Sequence, residues 1–365
     1  MEKRVRHVLG ISGGKDSAAL AIYLRDKYPS LDIEYYFCDT GKELDETYQL
    51  VENLEIYLGK KIQKLNAAQD SHEVPFDHFL KLYGGYLPSS TARWCTKKLK
   101  LEPFEDYVGD NLVVSYVGIR GDENREGYIS KKDNIQSIFP FRKNIWSEDV
   151  INKLFKNENI GYIKELFLKH SNVSDRIIEI IDSPLSINNT KANKINTLLD
   201  LSISTFNKVV FDFLQTTNYP LANELDYPIL ENEDILIRDD IFRILRDSGV
   251  GVPRYYEKIE FEINGNKGEY ARSRSGCFFC FYQQKIEWVW LFEQHPELFK
   301  KAMSYEKDGY TWMQNESLSD LIQPERIKQI KDDYTKKINS KTNNSPYLLD
   351  ILDESEGEGC ASCFI

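Results

Sequence analysis

The stretch LGISGGKDSAALAIYL, residues 9–24, decides how this chain is read. An apolar run enters a Gly pair flanked by Ser12, Lys15, Asp16 and Ser17, and an apolar pattern with helical spacing follows. A strand that passes through a tight polar loop into a helix is the sequence form of a phosphate cradle. Gly13 and Gly14 let backbone N–H groups turn toward an anion, and the helix N-terminus adds positive dipole. Lys15 can reach phosphate oxygens, Asp16 can hold Mg²⁺, and Ser12 and Ser17 can donate hydrogen bonds. The spacing is neither that of a Walker A loop nor that of a GxGxxG turn. An ordinary strand-to-helix turn built on a Gly pair is the plainer alternative.

Outward from the loop, strand-like and helix-like segments alternate. RVRHVLGIS, DIEYYFCDTG, KIQKLNA and NLVVSYVGIRGDENREG read as strands, and KDSAALAIYLRDKYP and LDETYQLVENLEIYLG read as helices. This alternation predicts an α/β fold with a doubly wound, mainly parallel sheet. From about Ile151 to Asn223 the chain is rich in Ile, Leu, Asn, Lys and Asp with almost no Gly, which predicts a helical insertion. The organisation expected is a nucleotide-binding domain over 1–150 and the insertion over 151–234. A Cys-x-x-Cys helical region that completes the active site follows over 235–335, then an acidic tail with a second Cys-x-x-Cys over 336–365.

Composition narrows the class. The 365 residues are 41% hydrophobic, enough for a sizeable core. A net charge of -11 argues against nucleic-acid binding by bulk charge, so any such contact needs a local patch. No apolar run approaches the roughly 18 residues of a membrane span. The short N-terminal apolar run ends in the glycine loop and not in a cleavage site, so the expectation is a soluble cytoplasmic protein. Six cysteines in such a chain point to metal binding or catalysis more than to disulfides.

Ser12-Gly13-Gly14-Lys15-Asp16-Ser17 resembles the PP-loop of ATP pyrophosphatases, which bind ATP and cleave it between the α- and β-phosphates. Four further stretches, in order, make the chain look like the phosphoadenosine phosphosulfate (PAPS) reductase-like branch. They are FCDTGKELDETY (37–48), RWCTKKLKLEPFE (93–105), YVGIRGDENREGY (116–128) and SRSGCFFCFYQQKIEW (273–288). The resemblance covers residues 1 to about 142 and 235 to 330. It implies ATP and Mg²⁺ as cofactors, with Lys15, Asp16, Ser17, Arg120 and Cys95 in catalysis. The nucleotide would be bound by residues 12–17 together with Asp39, Thr40, Gly118 and Arg120.

Each motif also has a physical reading. Asp39 and Thr40 lie just past a strand, where open parallel sheets bind ligands, although Asp-Thr-Gly is also good turn chemistry. Arg120 and Arg125 can grip phosphate or sulfate oxygens as a fork, or pair with Asp122 and Glu123. Arg93, Lys97, Lys98 and Lys100, with Arg272, Arg274 and Lys285, can form a basic groove for a polyanion or can be a solvated face. Cys38, inside a strand pattern, reads as a packing residue. His295 and the aromatics of KIEWVWLFEQHPELF read as structure.

Cys277-x-x-Cys280 alone fits zinc, an iron–sulfur cluster or a redox pair. Cluster-containing sulfonucleotide reductases join an early Cys-Cys pair to a later Cys-x-x-Cys, and here the early pair is Trp94-Cys95. The resemblance therefore implies a [4Fe–4S] cluster on Cys95, Cys277 and Cys280. Its fourth iron position is either open or filled by Cys360 or Cys363, and zinc is the alternative metal. Cys360 and Cys363 can also carry a persulfide or be unused thiols.

The type of the 273–288 motif looks most like the PAPS reductase-like ATP pyrophosphatases of DNA phosphorothioation systems, the DndC and SspD types. That implies adenylylation of a substrate oxygen and its replacement by sulfur, in an antiphage or restriction-linked modification. The implied partners are a cysteine desulfurase as sulfur donor and further phosphorothioation subunits that bring the DNA. An assimilatory PAPS reductase and a non-catalytic nucleotide-sensing scaffold subunit are the alternatives.

Overall fold

Strand β1 (Arg6–Gly10) is buried at every position but its first, and two later strands are buried throughout. Continuous burial of short apolar strands is the mark of a parallel sheet covered on both faces. The computed structural model describes residues 4–123, 129–170, 173–307, 309–314 and 316–342. After β1 come β2 (Ile33–Cys38), β3 (Ile62–Leu65), β4 (Val113–Tyr116) and β5 (Ile135–Ile138). They form one sheet in the order β3-β2-β1-β4-β5. β1 runs parallel to β4, with Arg6 opposite Val113 and Leu9 opposite Tyr116, and β4 runs parallel to β5. The doubly wound α/β fold expected from the alternation of strands and helices is thus present. The strand order reverses direction at β1, so the loop after β1 leaves the sheet at a topological switch point, where open α/β sheets bind their ligands.

The chain divides into two compact units. The first comprises Met1–Gly10, Ala19–Tyr35 and Val108–Ile244. Five helices dominate its later part: Glu148–Leu154, Ile160–Leu168, Asp175–Asp182, Lys191–Leu201 and Ile203–Leu214. Ser174, Thr190 and Ser202 each cap the helix that follows by accepting a backbone N–H three residues on. The inward faces carry apolar residues at helical spacing, such as Ile195, Leu198 and Leu199, then Phe206, Val209, Val210 and Leu214. Lys194 is buried, and its ammonium donates to the Ile181 and Ser183 carbonyls at 2.8 Å each. It thereby satisfies carbonyls at the end of the preceding helix.

The second unit comprises Ile11–Ala18, Tyr36–Tyr107 and Leu245–Ile365. Helix α1 (Lys15–Lys27) begins in it and α2 (Asp45–Leu58) lies within it. Trp94–Thr96, a π-turn over Lys97–Leu101 and Glu102–Val108 follow one another as a helical run. Two antiparallel strands, β6 (Ile259–Ile263) and β7 (Asn266–Tyr270), make a hairpin closed by Asn264 and Gly265, the turn pair that favours a tight two-residue loop. Helices Lys285–Gln294, Pro296–Tyr305 and Pro324–Thr342 complete it. Its core is aromatic: Phe279 stacks on Trp312 at 4.8 Å, and Phe76 lies 4.5 Å from Phe279 and 5.3 Å from Trp94. The aromatics around Trp288 and Trp290 are therefore core, and His295 packs on Trp290 between two helices. No helix among the described residues is long and apolar enough to cross a membrane.

Candidate functional site

The glycine loop is a tightly folded cradle. Gly13 has φ +72°, and a Cβ placed there would fall 2.2 Å from Thr47 Cγ2, so only glycine fits. Ser17 Oγ accepts from the Ser12 backbone N–H at 3.1 Å and donates to the Gly14 carbonyl at 3.3 Å. Lys15 is 2% exposed, with its ammonium 3.2 Å from Asp16 Oδ2 and 5.1 Å from the Tyr256 ring centroid. A buried cation at a helix N-terminus is an arrangement suited to polyphosphate. Tyr255 pins the loop by donating to the Gly13 carbonyl at 2.9 Å.

The end of β2 is organised around a buried carboxyl. Thr40 donates to Glu43 Oε1 at 2.7 Å, and the Lys42 backbone N–H lies 3.2 Å from Glu43 Oε2. Tyr48 reaches Asp39 Oδ1 at 2.9 Å, and Asp39 Oδ1 also accepts the Gly41 N–H at 2.8 Å. Burial raises the Glu43 pKa against the pull of the Thr40 hydrogen bond. The Thr40 hydroxyl also lies 3.3 Å from Cys277 Sγ. A residue from the expected nucleotide side and one from the expected sulfur side are therefore in contact.

Glu287 holds the Cys277 segment in place. It is 3% exposed and accepts from the Ser273 N–H, the Ser273 hydroxyl and the Gln284 N–H, each at 2.8 Å. The last of these belongs to a capping box that starts helix Lys285–Gln294. The same segment meets the glycine loop, since a Cβ on Gly14 would come within 2.6 Å of Ser275 Oγ. Tyr255, Tyr256, Ser275, Glu43 and Glu287 were not singled out from sequence. Glu43, Ser275 and Glu287 carried a signal in lying within the quoted stretches 37–48 and 273–288, and Tyr255 and Tyr256 lie outside those stretches.

Cys38, Cys95, Cys277 and Cys280 are not in disulfides. Burial raises the pKa of Cys277 and of Cys280, with Arg274 and Arg272 pulling Cys280 the other way. Among the described residues no group of three or more Cys, His, Asp or Glu is arranged to hold a metal. The expected ligand set of Cys95, Cys277 and Cys280 is thus not assembled as a metal centre. Cys360 and Cys363, the expected completing ligands, lie outside the described residues. Cys38 is core: its thiol faces the Lys100 carbonyl at 3.6 Å and burial pushes its pKa up to about 12.

Arg120 and Gly118 follow β4 in the first unit, where Arg120 is fully buried. Its Nε donates to Asp122 Oδ1 at 2.9 Å and its Nη1 lies 3.2 Å from Glu123 Oε1, so the fork is engaged by the adjacent carboxylates. Arg125 lies outside the described residues. Of the residues read as a basic groove or a solvated face, Lys98 is paired with Glu102, Lys285 is paired with Glu316, and Arg272 is buried. Lys98 and Lys285, each with an acid partner, present little net field to a polyanion.

Residues 6–172 match the family model of the phosphoadenosine phosphosulfate reductase domain. The Cys277 segment lies outside that match. An uncharacterized protein of Methanocaldococcus jannaschii is 36% identical over 145 residues, covering 36% of this chain and 28% of that protein. The tRNA-specific 2-thiouridylase MnmA of Pasteurella multocida is 26% identical over 170 residues, covering 38% of this chain and 44% of the relative. The enzyme of the same name from Haemophilus ducreyi is 27% identical over 123 residues, covering 32% of each. The chain spans less than half the length of these relatives. With its glycine loop at the switch point of a parallel sheet, the matched segment is similar to the nucleotide-using PP-loop enzymes of the PAPS reductase type.

Proposed function

We propose that the protein is an ATP pyrophosphatase that adenylylates a substrate oxygen and supports its replacement by sulfur, with DNA backbone phosphorothioation as the reaction served. The observation that carries this reading is the contact of Thr40 with Cys277, beside a phosphate cradle that Ser275 also touches. Loop N–H groups and Lys15 hold the phosphates of ATP. Asp16 would hold Mg²⁺, which when bound would offset phosphate charge. The substrate oxygen attacks the α-phosphorus, pyrophosphate leaves with the electron pair of the broken P–O bond, and Lys15 stabilises the charge that develops. The outer sulfur of a persulfide on Cys277 or Cys280 then attacks the activated centre, and AMP departs with the electron pair of the broken bond. Sulfur is a strong nucleophile at neutral pH, which suits this step. The other cysteine's thiol attacks the inner sulfur of the adduct, which frees the product with its sulfur and leaves a Cys277–Cys280 disulfide that an external thiol reduces.

The net charge of -11 supports a subunit that obtains its DNA contact through partners, with a cysteine desulfurase supplying sulfur. The test is release of AMP and pyrophosphate from ATP by anaerobically purified protein, with iron, sulfide and zinc measured alongside. Asp16→Asn and Ser17→Ala abolish turnover in this reading. Cys277→Ser and Cys280→Ser abolish sulfur transfer and leave ATP binding intact. ATP binding with no pyrophosphate release overturns the proposal in favour of a sensing subunit. The metal analysis decides whether the protein carries an iron–sulfur cluster, zinc or neither.

Two further readings are favoured by specific observations. The match of residues 6–172 favours PAPS reduction, which thioredoxin-dependent sulfite release detects. The likeness to tRNA-specific 2-thiouridylases favours a tRNA acceptor, which sulfur incorporation into tRNA against DNA detects.

A further inference from the structure

The turn carrying Cys277 and Cys280 contains donors that the reading above does not use. Arg272 leads into this turn and is 2% exposed. Its Nη2 donates to the Cys277 carbonyl at 3.2 Å and to Gln283 Oε1 at 3.0 Å. Among the described residues its Nε and Nη1 have no hydrogen-bond partner, and neither has Gln283 Nε2, although all three are buried. The guanidinium lies 6.0 Å from the ring centroids of both Tyr255 and Trp290. Those rings offset its charge but are weak acceptors for its N–H groups. Buried donors without acceptors are costly and uncommon in native proteins, so three on two adjoining side chains mark the place of a missing acceptor.

The same two residues bracket Cys280. The Cys280 N–H donates to the Cys277 carbonyl at 3.1 Å, and the Gln283 N–H donates to the Cys280 carbonyl at 2.9 Å. Cys280 has intermediate exposure as a residue, and Arg272 and Gln283 are buried. Buried donors at a cysteine turn suit a small anion, and a single sulfur atom is one that the turn's own cysteine can carry. We infer that Arg272 and Gln283 form a seat for a monoatomic sulfur anion beside Cys280, either free hydrosulfide or the outer sulfur of a Cys280 persulfide. The inference rests on the sulfur-transfer reading for its role and on the donors alone for its geometry.

In the covalent case the Cys280 thiolate, its proton lost to solvent, attacks the outer sulfur of a persulfide or polysulfide donor. The Sγ–S bond forms and the donor S–S bond breaks. The donor leaves as a thiolate or shortened polysulfide anion with the electron pair, with no net oxidation.

The test uses the full chain exposed to inorganic polysulfide, alkylated, and read by peptide mass spectrometry. In the wild type a Cys280 persulfide survives dilution. Gln283→Glu keeps an acceptor for Arg272 and places a carboxylate where the anion would sit. It is expected to lower persulfide occupancy about tenfold or more, the scale of lost charge-assisted hydrogen bonds. Gln283→Leu, which removes Nε2 without adding charge, serves if the first variant fails to fold. Both are compared with the wild type at matched thermal midpoints. A second arm titrates sodium hydrosulfide into Cys280→Ser and follows Trp fluorescence. Saturable binding there, lost on adding Gln283→Glu, assigns the seat to free hydrosulfide. A stable wild-type persulfide without such binding assigns it to the covalent sulfur. Equal occupancy in the wild type and both Gln283 variants overturns the inference, as does the absence of both signals. Neither arm uses ATP, so a failure of pyrophosphate release bears only on the proposed function.

Discussion

Replacing Gly13 by Ala tests the cradle most directly. Two penalties apply. The residue sits at φ +72°, where a Cβ costs about 1–2 kcal/mol in an L-residue. The new methyl would also lie 2.2 Å from Thr47 Cγ2, and Thr47 is fully buried in α2, so it cannot swing into solvent. Overpacking of that kind costs about 1–3 kcal/mol. Gly13→Ala is therefore expected to destabilise the protein by roughly 2–5 kcal/mol, from the two penalties together. Thr47→Ser removes the clashing methyl and keeps the hydroxyl. The double variant should recover the overpacking part and leave the backbone part, giving a coupling of about 1–3 kcal/mol in a double-mutant cycle. Urea denaturation followed by Trp fluorescence measures both. The reasoning fails if Gly13→Ala lies within about 0.5 kcal/mol of the wild type, the range of an ordinary surface change. It also fails if Thr47→Ser shows no coupling, because the methyl contact would then be absent.

Glu287→Gln leaves one carbonyl oxygen where two carboxylate oxygens accept three donors, and turns an amide NH₂ toward a donor. A loss of about 1–3 kcal/mol in chemical denaturation is expected, with a faster proteolytic cut near the Cys277 segment. Cys38 should resist alkylation in the native protein at pH 8 and react only on unfolding. Its folded pKa is raised to about 12 from an ordinary value of 9.0, so the folded state binds more protons at alkaline pH. The corresponding stability is complete below pH 9 and is lost as pH rises toward 12, at up to about 1.4 kcal/mol per pH unit. Cys38→Ala should flatten the alkaline limb of stability against pH. Glu316 behaves in the opposite sense, because the Arg326 guanidinium, with help from Lys285, holds its carboxyl at about 2 against an ordinary 4.5. Its contribution, roughly 2–4 kcal/mol, is present above pH 4.5 and lost as pH falls toward 2. Glu316→Gln should thus differ from the wild type at pH 7 and converge with it in acid.

The loop, the parallel strands and the α/β class were legible in the sequence because they depend on local rules. Gly13 and Gly14 mark a turn, a buried strand is a short apolar run, and Leu50, Val51, Leu54 and Leu58 repeat at helical spacing. The fate of the charged residues was not legible. Lys98 has its partner four residues away, but Lys285 finds Glu316 and Arg272 is drawn into a core of Tyr255 and Trp290, pairings that the order of residues does not specify.

By itself the sequence determined that a phosphate-type loop sits between a strand and a helix, and that a Cys-x-x-Cys lies far downstream of it. The tertiary structure alone decided that Thr40 touches Cys277, that Ser275 closes on Gly14, and that Glu43, Glu287 and Arg272 are buried around them. The reason is physical. Turn and helix preferences act over a few residues and can be read in order. Contacts between residues 237 or more positions apart, such as Thr40 with Cys277, arise when an aromatic core collapses and the polar groups caught beside it must find partners.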